Sequence, residues 1–155
     1  MRRSILQAAV AALALTAAAA SATTRVYSGH YASGTAVWTI KDGRVYRGHY
    51  ASGTAAYTIK EGRVHAGHYA SGTAIFTWKD GRLYRGHYAS GAAAYTIKDG
   101  RVYAGHYASG AAAGIWKDGR LYRGHYASGT AAATLSGDDA PDDMTLVFLA
   151  VLSGI

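Results

Sequence analysis

From residue 23 onward, apolar and polar positions come in short bursts rather than in helical stripes. Segments such as Thr35 to Ile40 and Arg44 to Tyr50 carry Val, Ile, Thr, Tyr and Trp over six or seven residues, lengths and residue types that predict strands. Two kinds of turn chemistry separate them. Gly-His-Tyr-Ala-Ser-Gly begins at Gly29, Gly48, Gly67, Gly86, Gly105 and Gly124, each step being 19 residues. Midway falls Lys-Asp/Glu-Gly-Arg, at Lys41 to Arg44, Lys60 to Arg63, Lys79 to Arg82, Lys98 to Arg101 and Lys117 to Arg120. In both signatures glycine supplies the positive φ of a tight turn while Asp or Ser bonds the local backbone. The pattern predicts an all-β domain, an antiparallel meander of about twelve short strands built from six hairpin repeats. A parallel β-solenoid is the alternative, disfavoured by the two turn signals in every unit. The repeat is compatible with an open sheet or a closed barrel.

An odd period imposes a condition. If one face is to stay apolar, the two loops of a unit must differ by an odd number of residues, or alternate units turn inside out. Lys41-Asp42-Gly43 as a three-residue glycine-bulge loop and Ser52-Gly53 as a two-residue loop satisfy it. Ala36, Trp38, Ile40, Tyr46, Gly48 and Tyr50 then share the core face, and Val37, Thr39, Val45, Arg47 and His49 the other. Rings at Trp38, Tyr57, Phe76 and Tyr95 would cover bare glycine on that core face, with Gly114 and Ala133 as exceptions. A weaker period of two units pairs Trp78 with Trp116, Leu83 with Leu121, and Arg47 with Arg85 and Arg123, Ala66 and Ala104 lying between the arginines.

Beyond Leu135 the pattern changes. Asp138, Asp139, Pro141, Asp142 and Asp143 precede an apolar run from Met144 to Leu152, with Gly154 after it. Proline and acids at the start and glycine at the end predict a short helix. Apolar all round, it must be buried, against the aromatic face or across an open end of the sheet. A final buried strand, which Val and Phe favour, is the alternative. The chain divides into residues 1–22, a repeat domain over 23–137, and an acidic linker with an apolar helix over 138–155.

Residues 1–22 run from Met1-Arg2-Arg3 through an apolar, alanine-rich stretch to Ala20-Ser21-Ala22. A basic start, an apolar middle and a small-x-small end predict a secretory signal peptide, cleaved to leave Thr23 first and the protein periplasmic or secreted. The stretch is short for a spanning helix, so the cleaved chain is expected to have no transmembrane span. The absence of cysteine excludes disulfides and thiolate chemistry. The formal charge of +7 becomes +5 once Arg2 and Arg3 are removed. With the acids gathered near the C-terminus, the repeats are more basic than the average, which suits an anionic partner.

Asp-Gly-Arg-Val-Tyr-Arg-Gly-His-Tyr-Ala-Ser-Gly (Asp42 to Gly53) resembles the MORN repeat. Asp42, Gly43, Tyr46, Gly48, Tyr50 and Gly53 stand at the pattern's positions, and the likeness covers most of the chain after residue 22, with His65 in place of the first tyrosine in unit three. The unit departs from the family by lacking its following Gly-x-Gly. Bacterial hairpin repeats of β-flower type are a second similar class. The MORN resemblance implies an elongated sheet of hairpins serving as a scaffold, a self-association surface or a lipid contact, without catalysis.

Each unit holds a His, a Ser and an acid, such as His49, Ser52 and Asp42, the ingredients of a hydrolase triad. Ser52 and Asp42 would lie at opposite ends of a strand, roughly 20 Å apart at about 3.3 Å per residue, so no enzyme is expected. The histidines His30, His49, His68, His87, His106 and His125 form no metal ladder in a meander, where equivalent strands lie about 9.6 Å apart. A solenoid would stack them about 4.8 Å apart and permit one. No metal, cofactor or specific nucleic-acid signal is expected. Two function classes follow. The first is an exported repeat scaffold that associates with itself. The alternative is a binding module for an anionic envelope component, lipid headgroup or acidic glycan, acting through the rim Lys41, Arg44, Lys60, Arg63, Lys79, Arg82, Lys98, Arg101, Lys117 and Arg120. The opposite Tyr-Ala-Ser-Gly rim could stack on sugars.

Overall fold

The computed structural model describes residues 22–137 and 139–155; the predicted signal peptide lies, but for Ala22, outside the described residues. Twelve antiparallel strands form a meander: β1 (Thr23–Ser28), β2 (Trp38–Lys41), β3 (Arg44–Arg47), β4 (Tyr57–Lys60), β5 (Arg63–Ala66), β6 (Phe76–Lys79), β7 (Arg82–Arg85), β8 (Tyr95–Lys98), β9 (Arg101–Ala104), β10 (Gly114–Lys117), β11 (Arg120–Arg123) and β12 (Ala133–Ser136). The meander closes on itself, β1 pairing with β12 so that Val26 faces Leu135 and Ser28 faces Ala133. Five hairpins are continuous in the chain. The sixth is assembled from β12 and β1 with no turn between them, and among the described residues closure leaves no unpaired strand edge.

Both loop lengths differ from expectation. Lys41 faces Arg44 across a two-residue turn in which Asp42 and Gly43 both take positive φ, 51° and 70°. That is the type I′ turn whose twist matches a hairpin, so no glycine bulge is needed. The other connection is not a two-residue Ser-Gly turn but nine residues, 48–56 between β3 and β4. It opens at Gly48, which has φ 85° and stands outside the strands. Loops of two and nine still differ by an odd number, so the apolar face is kept, but the residues on it change. Val45 pairs with Ile40 and Tyr57, and Trp38 with Val26 and Arg47. The inward face is Trp38, Ile40, Val45 and Arg47. Tyr46 instead faces outward opposite Thr39, and Tyr50 is 71% exposed.

The predicted helix forms as α1 (Asp143–Leu152), with Asp142 as its N-cap accepting from the Thr145 N–H at 2.8 Å. It lies inside the barrel. Val147, Phe148, Leu149 and Ala150 are wholly buried among Trp38, Tyr57, Phe76, Trp78, Tyr95 and Trp116 from around the wall. Phe148 meets Tyr57 and Phe76 edge-on at 5.2 and 6.1 Å, and the Trp116 indole donates to the Leu146 carbonyl at 3.0 Å. The exception at Gly114 has a cause: a Cβ there would stand 3.0 Å from the Ile155 side chain. At the far end the helix carries no basic residue of its own. Arg123 of β11 supplies one, donating to the carbonyls of Gly154 and Ser153 at 2.7 and 3.0 Å, which favours the negative pole of the helix. Arg47, from the same register, lies over the Trp38 ring at 5.0 Å. Among the described residues no helix is long and apolar enough to cross a membrane.

Candidate functional site on the outer wall

The six nine-residue loops fold back over the outside of the barrel, each reaching the two strands before the one it leaves. In the loop between β5 and β6, Arg44 donates through Nε to the His68 carbonyl at 3.2 Å. The Ala55 N–H donates to His68 Nδ1 at 3.0 Å, Thr58 donates through its hydroxyl to the Gly67 carbonyl at 2.9 Å, and the His68 ring stands edge-on to Tyr46. The arginine and backbone bonds recur at His49, His87, His106 and His125; the threonine bond is lost beside His125, where Ile115 replaces threonine, and the ring edge-on to His87 is His65. At the closure Arg120 and Ala131 hold His30 in the same way.

These bonds settle the state of the histidines. Each Nδ1 accepts from a backbone N–H, so the ring is the neutral tautomer with its proton on Nε2. A metal on Nε2 would move that proton to Nδ1, against the backbone N–H that already points there. Among the described residues no three His, Asp or Glu side chains are grouped to hold a metal. The imidazole set is instead a row of outward N–H donors.

The rim residues separate by role. Lys41, Lys60, Lys79, Lys98 and Lys117 end their strands and are exposed. Arg44, Arg63, Arg82, Arg101 and Arg120 begin theirs, are half-buried, and tie down a loop through Nε, which leaves their terminal nitrogens to a ligand. Arg25 of β1, bonded to the His49 carbonyl at 3.1 Å, is a sixth member that sequence reasoning missed because no Lys-Asp-Gly precedes it. Its signal is the spacing to His30, the same as from Arg44 to His49. The end of the barrel bearing the tight turns also receives Asp139 and Asp142, which line a groove with Gly43, Lys60, Glu61 and Gly62, so acidic charge offsets lysine there.

The two rims that the sequence places at opposite sheet edges meet on the wall. Folding back brings Tyr69 and Ala70 to Asp42, Arg44, Thr58, Ile59 and Lys60, which together line a groove of about 510 Å³. Tyr69 is 71% exposed, and Tyr31, Tyr50, Tyr88, Tyr107 and Tyr126 are equally open. By the repeat, Arg, Lys and Tyr recur as Arg25, Lys41, Tyr50; Arg63, Lys79, Tyr88; Arg82, Lys98, Tyr107; and Arg101, Lys117, Tyr126. The sixth place has Arg120 and Tyr31 with Ser136 at the lysine position.

A ring of six hairpins, each covered by a folded-back loop, defines a six-bladed flower-like barrel. Residues 26–146 match the family model of the 6-fold beta flower protein, and the chain belongs to that family, the second of the two classes its repeat resembles. It is a repeat module on a fold not known as an enzyme class. No curated protein and no solved structure matches the chain.

Proposed function

We propose that the barrel is an exported, non-catalytic binding module whose outer wall takes acidic glycan at repeated grooves. The observation that carries this reading is the groove in which exposed Tyr69 stands beside Arg44 and Lys60. An open ring face stacks on a sugar, and guanidinium and ammonium groups pair with a carboxylate. The grooves are distributed around a closed barrel and point in different directions, so a flat membrane meets one or two while a flexible polymer can wrap them all. The acidic segment at the tight-turn end weighs against end-on docking to an anionic bilayer. Barrel closure removes strand edges, the simplest route to an extending scaffold. Export rests on the composition of residues 1–22.

The test is co-sedimentation with polygalacturonate and with anionic liposomes at low salt and at 1 M salt, where the screening length falls to about 3 Å, alongside light scattering. A monomer that binds polygalacturonate at low salt, releases it at high salt, and loses binding when Tyr31, Tyr50, Tyr69, Tyr88, Tyr107 and Tyr126 are all changed to Ser fits the proposal. A protein that ignores the polysaccharide at low salt yet scatters as an oligomer refutes it and leaves the self-associating scaffold.

A further inference from the structure

One hairpin of the flower departs from the others in two places at once. His65 stands where β1, β3, β7, β9 and β11 carry Tyr27, Tyr46, Tyr84, Tyr103 and Tyr122, and Glu61 stands where the other tight turns carry Asp. Glu61 keeps the left-handed conformation of those turns, φ 51°, which Asp tolerates better because its short side chain can bond locally. Both residues line the same cavity, about 220 Å³ on the outer wall between two folded-back loops, together with Lys60, Arg63 and His87. His65 is 7% exposed, and its Nδ1 is the buried side-chain polar atom without a hydrogen-bond partner among the described residues. Such an orphan is destabilising unless something pairs with it. Its ring lies 6.5 Å from that of His87, whose Nδ1 accepts from the Ala74 N–H at 3.0 Å and whose proton is therefore on Nε2.

We propose that this cavity is a phosphate site, taking inorganic phosphate or the phosphate group of a phosphomonoester. The lining offers donors of fixed charge, Lys60 and the terminal nitrogens of Arg63, and the Nε2–H of His87. It also offers an acceptor, the Glu61 carboxylate, and the unpaired Nδ1 of His65, which accepts from or donates to the anion according to its tautomer. A fully deprotonated oxyanion such as sulfate has nothing to donate to a carboxylate, whereas hydrogen phosphate, or a phosphomonoester held as its monoanion, carries a P–OH and can satisfy both kinds of partner. The smaller imidazole opens the space that the tyrosine ring fills in the other hairpins. The site borders the glycan grooves, sharing Lys60 with one and Arg63 with the next, but His65 and Glu61 belong to neither.

The experiment is a titration of the full chain with inorganic phosphate, glucose 6-phosphate and sulfate at constant ionic strength and about pH 5.5, below the second phosphate ionisation near 6, followed by calorimetry and by amide chemical shifts. His65→Tyr installs the residue of the other hairpins and so keeps the fold, which its melting curve verifies. One phosphate per chain, bound about tenfold or more tighter than sulfate and weakened about tenfold or more in H65Y, is the expected result, since a hydrogen bond to a charged group is worth that much. Glu61→Gln should erase the preference over sulfate. Glucose 6-phosphate binding as well as free phosphate assigns an esterified ligand; phosphate alone assigns the free ion. Phosphate and sulfate binding alike, unchanged in H65Y, or neither binding, overturns the site. Polygalacturonate binding retained by H65Y shows that such a failure is separate from that of the wall grooves.

Discussion

Removing the ring at Phe148 tests whether α1 fills the barrel as described. The side chain is 1% exposed and stands edge-on to Tyr57 and Phe76 on adjacent hairpins. Phe→Ala in a packed core costs about 3–5 kcal/mol through lost transfer energy and the cavity left behind. Two aromatic pairs, each worth roughly 0.5–1.5 kcal/mol beyond burial, place Phe148→Ala in the upper half of that range. At about 4 °C per kcal/mol for a chain of this size, the melting midpoint should fall by roughly 16 °C. Thermal melts followed in the near-ultraviolet, paired with urea unfolding, give both numbers. Tyr50→Ala is the control: 71% exposed, it should stay within about 0.5 kcal/mol. A drop below about 4 °C for Phe148→Ala would mean that the helix does not seat in the lumen and that the wall aromatics pack against something else.

Four further substitutions probe the loops and the helix end. Gly43→Ala should destabilise clearly more than Gly53→Ala in parallel urea titrations. Both residues have positive φ, but a Cβ at Gly43 would stand 2.7 Å from the Ile59 carbonyl oxygen whereas one at Gly53 meets nothing within 4 Å. His106→Ala leaves the Ala93 N–H without its acceptor at 3.0 Å and should cost about 1–2 kcal/mol, with faster amide exchange at Ala93 as the local readout. Arg123→Ala removes the two bonds to the Gly154 and Ser153 carbonyls. Because Arg123 is exposed, the loss should be below about 1 kcal/mol, seen as amide exchange quickening at Leu152 to Ile155 before any change in the melting midpoint.

The hairpins were legible because Asp-Gly between apolar residues is a strong local signal, and the helix because acids, proline and glycine mark its ends. The face assignment was not, for a definite reason. His49, Tyr50 and Thr54 have strand-like side chains, so composition alone extends β3 through a segment that is a loop. The corrective signal is the pair Gly48 and Gly53, both at positive φ, which bracket the loop rather than forming a rescued strand position and a tight turn. Once the loop is nine residues long, Val45 turns inward and Tyr46 outward. Closure was equally hidden. Val26 and Leu135 pair across nearly the whole chain, and nothing local to either says so. The rim residues can be named from the sequence, but their surroundings cannot: only the folded-back loop brings Tyr69 to Arg44 and Lys60.

The most direct measurement on the wall grooves is an amide and aromatic chemical-shift map of the monomer titrated with a short oligogalacturonate. Shifts should gather at the exposed tyrosines and the arginine side chains around the whole barrel, including Tyr31 and Arg120 at the closure, and should vanish in 1 M salt. Shifts confined to the tight turns near Asp139 and Asp142, or none at any concentration of the oligosaccharide, would contradict the account.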